Sequence, residues 1–144
     1  MFFRNKMIKG VVIKNIKSNN DTRGFFREIM KETDKYTSVK FKQISHSKIN
    51  KLVKKGWHFH KKQYQWNYLL RGKIEVYLLD LRKRSKTYNK KVKFIVSDKK
   101  PMVYFFPPNI GHGYITLEKD THMIYGTSGV YSKSEEYKLP FSKF

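Results

Sequence analysis

The chain has 144 residues and no cysteine, which excludes disulfides, zinc–thiolate sites and thiol nucleophiles. A 39% hydrophobic share suffices for one core in a single domain over 1–144, and no run of about 18 apolar residues is present to span a membrane. The net charge of +21 attracts phosphorylated ligands, yet the lysines are dispersed between apolar runs rather than gathered in a tail or on one helix. That pattern points to solvated faces and away from a dedicated nucleic-acid partner.

Residues 1–6, Met-Phe-Phe-Arg-Asn-Lys, lack the apolar stretch of a signal peptide. With the missing cysteines, this fits a cytoplasmic protein. Strands are expected over residues 8–16, 25–30, 41–47, 56–60, 65–70, 73–82, 92–97, 102–106, 111–117 and 121–127, each rich in aromatic and β-branched residues. Polar segments such as Ser18-Asn19-Asn20-Asp21 and Ser97-Asp98-Lys99-Lys100-Pro101 read as the turns between them. Leu70-Arg71-Gly72-Lys73 reads as a tight hairpin, with glycine supplying the unusual φ. No strong amphipathic helix, repeat or linker interrupts the series. Many short strands at this spacing imply an all-β sandwich or barrel. Pairing of two copies through the N-terminal strand would cover an open sheet edge, so a homodimer is expected.

The chemistry concentrates in Gly56-Trp57-His58-Phe59-His60. Side chains alternate along a strand, so His58 and His60 project to the same side. A third imidazole, His112, lies in Pro107-Pro108-Asn109-Ile110-Gly111-His112-Gly113. Three convergent histidines serve either acid–base chemistry or a metal. If Glu118-Lys119 forms a two-residue hairpin loop, Tyr125 faces His112; a shift of one residue makes it face Tyr114 instead. The residues leave that register open.

Two resemblances follow. His58-x-His60, with Gln65 and Gly72 beyond it, is similar to the first motif of the cupins, with Gln where Glu is usual. Pro107-x-Asn109-x-x-His112 is similar to the second. Cupins are jelly-roll β-barrels that often hold a metal, and that reading makes His58, His60, His112 and Gln65 its ligands. A fuller resemblance, over about residues 8–140, is to the metal-free dTDP-4-dehydrorhamnose 3,5-epimerase family within the same superfamily. It rests on Asp21-Thr22-Arg23-Gly24-Phe25-Phe26-Arg27-Glu28, Phe41 to Ser47, Lys55-Gly56-Trp57-His58-Phe59, Arg71 to Val76, Asp80 to Ser85, and Pro108 to Tyr114. Tyr125, thirteen residues after His112, stands at the spacing of that family's catalytic tyrosine.

This resemblance implies a cupin-type jelly roll acting on a nucleotide-linked 4-keto-6-deoxyhexose without a cofactor. His58 is the implied base and Tyr125 the acid, with His60 and His112 beside them. Arg23, Phe26, Glu28, Gln43, Lys55, Gln65 and Tyr131 are the implied substrate-binding residues. The family's lysine falls at Gln65 and its strand aspartate at Val76. The aspartate that partners the base histidine belongs to a C-terminal extension expected to be absent here. His60 and His112 are candidates to supply the missing charge or hydrogen bonds. The alternatives are a 3,4-ketoisomerase of the same substrates, a metal-binding cupin, and a barrel that binds a sugar nucleotide without turnover.

Overall fold

Alternation along the central strands builds the core. In the segment Lys73–Asp80, Ile74, Val76 and Leu78 are buried while Lys73, Glu75 and Tyr77 face outward, the period-two pattern of a sheet with one face on the core. The structure is a computed structural model that describes residues 7–140 and Ser142. Its strands are β1 (Val12–Asn15), β2 (Ser18–Asp21), β3 (Gly24–Arg27), β4 (Gln43–Ile49), β5 (Lys54–Phe59), β6 (Gln65–Arg71), β7 (Lys73–Asp80), β8 (Lys91–Ser97), β9 (Met102–Phe106), β10 (Ile110–Thr116), β11 (Thr121–Thr127) and β12 (Tyr137–Lys138). The one helical turn among the described residues is a 3-10 turn over Lys133–Glu135.

Two five-stranded antiparallel sheets face each other, ordered β1-β9-β6-β11-β4 and β12-β5-β10-β7-β8, with β2 and β3 as a separate hairpin. This is the expected all-β jelly-roll barrel. Leu69, Met123, Tyr104 and Phe106 of the first sheet meet Ile74, Val76, Leu78, Phe94, Val96 and Ile110 of the second in one buried cluster. Each such aliphatic side chain contributes roughly 1.5–3 kcal/mol by leaving water. A second cluster, with Trp66, Tyr68, Val103 and Phe105, covers the outer face of the first sheet beneath Tyr36. The apolar contacts thus concentrate where β6 and β9 oppose β7 and β8. Polar side chains of β4, β5 and β6, among them Gln43, Lys55, His58, Gln65 and Asn67, instead face a cavity.

All the expected strands form, but three expectations about their connections do not hold. Ser18–Asp21, read as a turn, is a strand that pairs with Gly24–Arg27. Arg27 anchors this hairpin to the barrel by donating to Tyr68 Oη and to the Asp98 carbonyl. Gly72 does supply a positive φ, of 104°, but β6 and β7 are not hairpin partners. β6 pairs with β9 and β11, and β7 with β8 and β10, so Gly72 is a corner between sheets. A Cβ there would lie 2.5 Å from Thr121 Oγ1, so the corner admits only glycine. Likewise β10 and β11 belong to different sheets, and neither hairpin register considered for Tyr125 applies. The N-terminal residues Met1–Lys6, read for a signal peptide, lie outside the described residues.

Asp80-Leu81-Arg82 is a structural device in this fold. The Asp80 carboxylate is buried and accepts from Arg82 Nε at 2.9 Å, Arg82 Nη2 at 2.9 Å and Thr87 Oγ1 at 2.6 Å. These bonds hold its carboxyl well below the usual carboxylate range. Asp80→Ala leaves the guanidinium without its partner and is expected to destabilise the fold by about 3 kcal/mol, read from the urea midpoint. A midpoint equal to that of the wild type would show that the pair does not secure this end of the barrel.

Candidate active site

A cavity of about 250 Å³ opens between the polar inner faces. His58 and Lys55 of β5 line it, together with His60 just beyond that strand. Simple alternation would place Lys55 on the face opposite His58. Against β10, however, Tyr114 pairs with Lys55 and His112 with His58, so β5 carries an extra residue as a bulge. The bulge turns Lys55 and His58 to the same cavity, while Trp57 is buried. His112 and Tyr114 line the cavity from β10, and Gln65, Tyr125 and Gln43 from β6, β11 and β4. Tyr131 borders it after β11. His58 and Tyr125 therefore stand on opposite sheets and share one cavity.

The three imidazoles differ in state. His112 Nδ1 lies 3.0 Å from the Ile110 carbonyl, which can only accept, so that nitrogen carries the hydrogen. His112 also stacks on Phe106 at 4.5 Å between centroids. Burial, with His60 and His58 nearby, lowers it from an ordinary 6.5 to about 3. It is neutral near pH 7, with its free nitrogen an acceptor, so it supplies neither the missing charge nor a hydrogen bond to an oxyanion. His60 likewise donates from Nδ1 to the Glu135 carbonyl, at 3.0 Å. His58 is half-buried, and its Nδ1 is enclosed with no hydrogen-bond partner. The Glu136 carboxylate lies 3.8 Å from that nitrogen. Burial lowers the His58 pKa; Glu136 opposes the shift, while Lys138, His60 and Lys55 add to it.

Amides and phenols complete the lining. Gln65 Nε2 donates to Asn67 Oδ1 at 2.7 Å, and Asn67 Nδ2 donates to the Tyr104 carbonyl at 3.2 Å. Gln43 Oε1 accepts from the Tyr131 backbone N–H at 2.8 Å, and Gln43 Nε2 donates to Ser45 Oγ at 3.0 Å. Burial pushes the Tyr114 phenol up to about 12, and neighbouring Tyr125 adds to this.

Of the residues singled out in the sequence, His58, His60, His112, Tyr125, Gln43, Lys55, Gln65 and Tyr131 meet at this cavity. Arg23, Phe26 and Glu28 do not line it. Arg23 is paired with Asp21 on the exposed β2–β3 turn, and Phe26 is 65% exposed. The alternative metal site is not assembled: among the described residues no group of three or more His, Cys, Asp or Glu side chains is placed to hold an ion. The His58 and His60 rings lie 6.3 and 5.4 Å from that of His112 in tilted stacks, and the Gln65 amide is engaged by Asn67. Sequence reasoning missed Glu136, which sits in Glu135-Glu136, the one adjacent pair of acids in this basic chain.

The fold and the cavity define a cupin-type barrel whose histidine and tyrosine side chains face one cavity. The model of the family described as dTDP-4-dehydrorhamnose 3,5-epimerase matches residues 5–143. The spore coat polysaccharide biosynthesis protein SpsL of Bacillus subtilis (strain 168) is 33% identical over 138 residues, covering 94% of this chain and 91% of that protein. The dTDP-4-dehydrorhamnose 3,5-epimerase of Shigella flexneri is 32% identical over 142 residues, covering 94% of this chain and 78% of that enzyme. The crystal structure of dTDP-4-dehydrorhamnose 3,5-epimerase from Bacillus anthracis str. Ames, with TDP and PPi bound, superposes with a TM-score of 0.84 at 25% identity, covering 91% of this chain and 79% of that one. The chain belongs to the dTDP-4-dehydrorhamnose 3,5-epimerase family and is a sugar-nucleotide epimerase.

The buried neutral histidine makes the fold acid-labile. Unfolded, His112 takes up a proton near 6.5; folded, it resists until about 3. Between those values the unfolded chain binds more protons, so stability falls as pH drops through this window. Asp80, held below its ordinary 3.8, adds to the loss in the most acidic part. The urea midpoint is expected to fall steadily from about pH 7 to about pH 4, and His112→Gln to flatten that slope. Equal slopes for wild type and variant would contradict a neutral buried His112.

Proposed function

We propose that this protein epimerises a dTDP-linked 4-keto-6-deoxyhexose at C3, C5 or both, with His58 as base and Tyr125 as acid. The observation that carries the mechanism is their placement on the two opposed sheets of one cavity. Inversion requires a proton to leave one face of a carbon and return to the other. The C4 ketone acidifies the adjacent C–H bonds. His58 takes the proton, and the electron pair moves to the ketone oxygen as an enolate. Tyr125 then protonates the carbon from the far side. Solvent removes the proton from the imidazolium and restores the phenol. The sequence is redox-neutral and needs no cofactor. Imidazole suits the base role because its pKa lies near neutrality.

Gln43, Lys55, Gln65 and Tyr131 form the substrate wall in this reading. Lys55 meets the diphosphate, and exposed Tyr131 offers a stacking face to the base. The net charge of +21 draws the anionic substrate inward. In this reading the chain acts as one cytoplasmic domain. Arg23, Phe26 and Glu28 reach a site only if the β2–β3 hairpin of a second copy supplies them. Their exposure, and their absence from the cavity lining of their own chain, are the support for a homodimer.

Proton NMR of dTDP-4-keto-6-deoxyglucose in D2O tests the chemistry. The wild type is expected to exchange the C3 or C5 proton while C4 stays a ketone. His58→Ala should lose about 10²–10⁴ in exchange rate, the usual scale for a general base. Tyr125→Phe should exchange the proton without inverting the carbon. A carbonyl that migrates, or His58→Ala turning over normally, would falsify the assignment. Light scattering tests the assembly: the wild type is expected at twice the chain mass, and Phe26→Asp should weaken both dimer and turnover. A fully active monomer would rule out the shared site.

A further inference from the structure

We propose that Tyr114 is a further catalytic residue of this cavity, donating a hydrogen bond to the C4 oxygen of the substrate as it becomes an enolate; the inference rests on the epimerase reading above. The register of the strands places this phenol. On β10, Tyr114 is the next inward-facing residue after His112. His112 pairs with His58, and Tyr114 pairs with Lys55. On the opposed sheet, Tyr125 pairs with Ser45, and Met123 with Ser47. Tyr114 reaches across from the sheet of the base to Ser47, which is the next inward-facing position of β4 beyond the partner of Tyr125. It lines the cavity with Ser47, Met123 and Tyr125, and its ring packs against the core cluster that contains Met123. The phenol therefore stands beside the line from His58 to Tyr125 and not on it.

That offset suits the ketone oxygen. The carbon that changes hand lies between base and acid, and the oxygen belongs to its neighbour. A donor one step along the sheet from both His58 and Tyr125 addresses the neighbouring atom. The state of the phenol suits the role as well. Burial pushes it up to about 12, so it keeps its hydrogen near pH 7. The Ser47 hydroxyl acts in the opposite sense, that of a serine donating to the phenol oxygen. The phenol's own hydrogen is then left for an acceptor in the cavity. As His58 takes the proton, the C–H electron pair moves to the ketone oxygen, and the bond from Tyr114 strengthens without the phenol losing its hydrogen. When Tyr125 protonates the carbon, the ketone returns and the bond relaxes. A neutral phenol stabilises an enolate in the same way in other enolising enzymes. Gln65 pairs with Thr127 and flanks Tyr125 on its other side, so the two neutral donors bracket the acid.

Tyr114→Phe keeps the ring and removes only the hydroxyl, so its urea midpoint is expected close to that of the wild type. Deuterium exchange and inversion of dTDP-4-keto-6-deoxyglucose are both followed by NMR, with kcat and KM for each. The kcat of exchange is expected to fall about 10²-fold, the scale of one lost oxyanion donor, with KM nearly unchanged. Exchange and inversion should fall together, because an enolate donor acts before the carbon is reprotonated. Unchanged exchange overturns the proposal. So does exchange retained with inversion lost, which makes Tyr114 an acid, or a rise in KM alone, which makes it a ground-state contact. Ser47→Ala releases the phenol from its donor and should show a smaller fall of the same kind; it carries the comparison should Tyr114→Phe fold poorly, and an unmoved kcat there overturns the role. A wild type that exchanges no proton from any sugar nucleotide tried removes the epimerase reading and this role together. An active wild type beside an equally active Tyr114→Phe removes this role alone.

Discussion

The site depends on a very short piece of sheet, the pairing of β12 with the outer edge of β5. Two residue pairs and one further backbone hydrogen bond hold the C-terminal segment against the strand that carries His58. A strand of this length has little stability of its own. It is secured by stacking of Tyr137 on Phe59 at 5.1 Å, and by the Glu135 carboxylate gripping the turn after β5. Tyr131, Ser132, Glu135 and Glu136 come to the cavity as a consequence. Without this pairing, β5 would be an open edge of its sheet. One contact both finishes the sheet and assembles the polar wall.

That wall has to solve an electrostatic problem. The chain carries +21, and three imidazoles crowd one another at the cavity. They cannot all be protonated in so small a volume. The structure separates their roles by environment. His112 is kept neutral by burial and gives its one hydrogen to a backbone carbonyl. His60 is oriented the same way by Glu135. His58 alone has a carboxylate beside its enclosed nitrogen. His112 and His58 are both lowered chiefly by burial, and at His58 the nearby Glu136 carboxylate opposes that shift.

Local pattern was legible in the sequence, whereas partnership between distant segments was not. Every expected strand exists, because aromatic and β-branched alternation reports a half-buried pleat whatever its neighbours are. His58 and His60 share a face as period two requires, despite the bulge just before them. The connections were misread because tight spacing around Gly72, and around Glu118-Lys119, looks the same for a hairpin as for a corner that changes sheets. Only the partners of β6, β7, β10 and β11 distinguish the two cases. Ser18–Asp21 was hidden because a two-stranded hairpin standing off the barrel has no apolar face to show. Glu136 was missed for a related reason: its partner is 78 residues away, and nothing in Glu135-Glu136 announces which acid will grip backbone and which will face a ring.

In the proposed mechanism the enolate needs a stabilising group where the resemblance places a lysine and this chain has Gln65. An amide nitrogen has two hydrogens, and Gln65 commits one of them to Asn67. Asn67 in turn donates to the Tyr104 carbonyl, so the pair is held rigid from below. Gln65 lines the cavity with its amide held in place, and a fixed dipole in an enclosed site stabilises developing charge without reorganising. A neutral donor stabilises an oxyanion less than an ammonium does. It also adds no further cation to a cavity that already holds Lys55 and three imidazoles. Glu136 close to His58 favours the charged ring, and an amide at Gln65 adds no cation beside it.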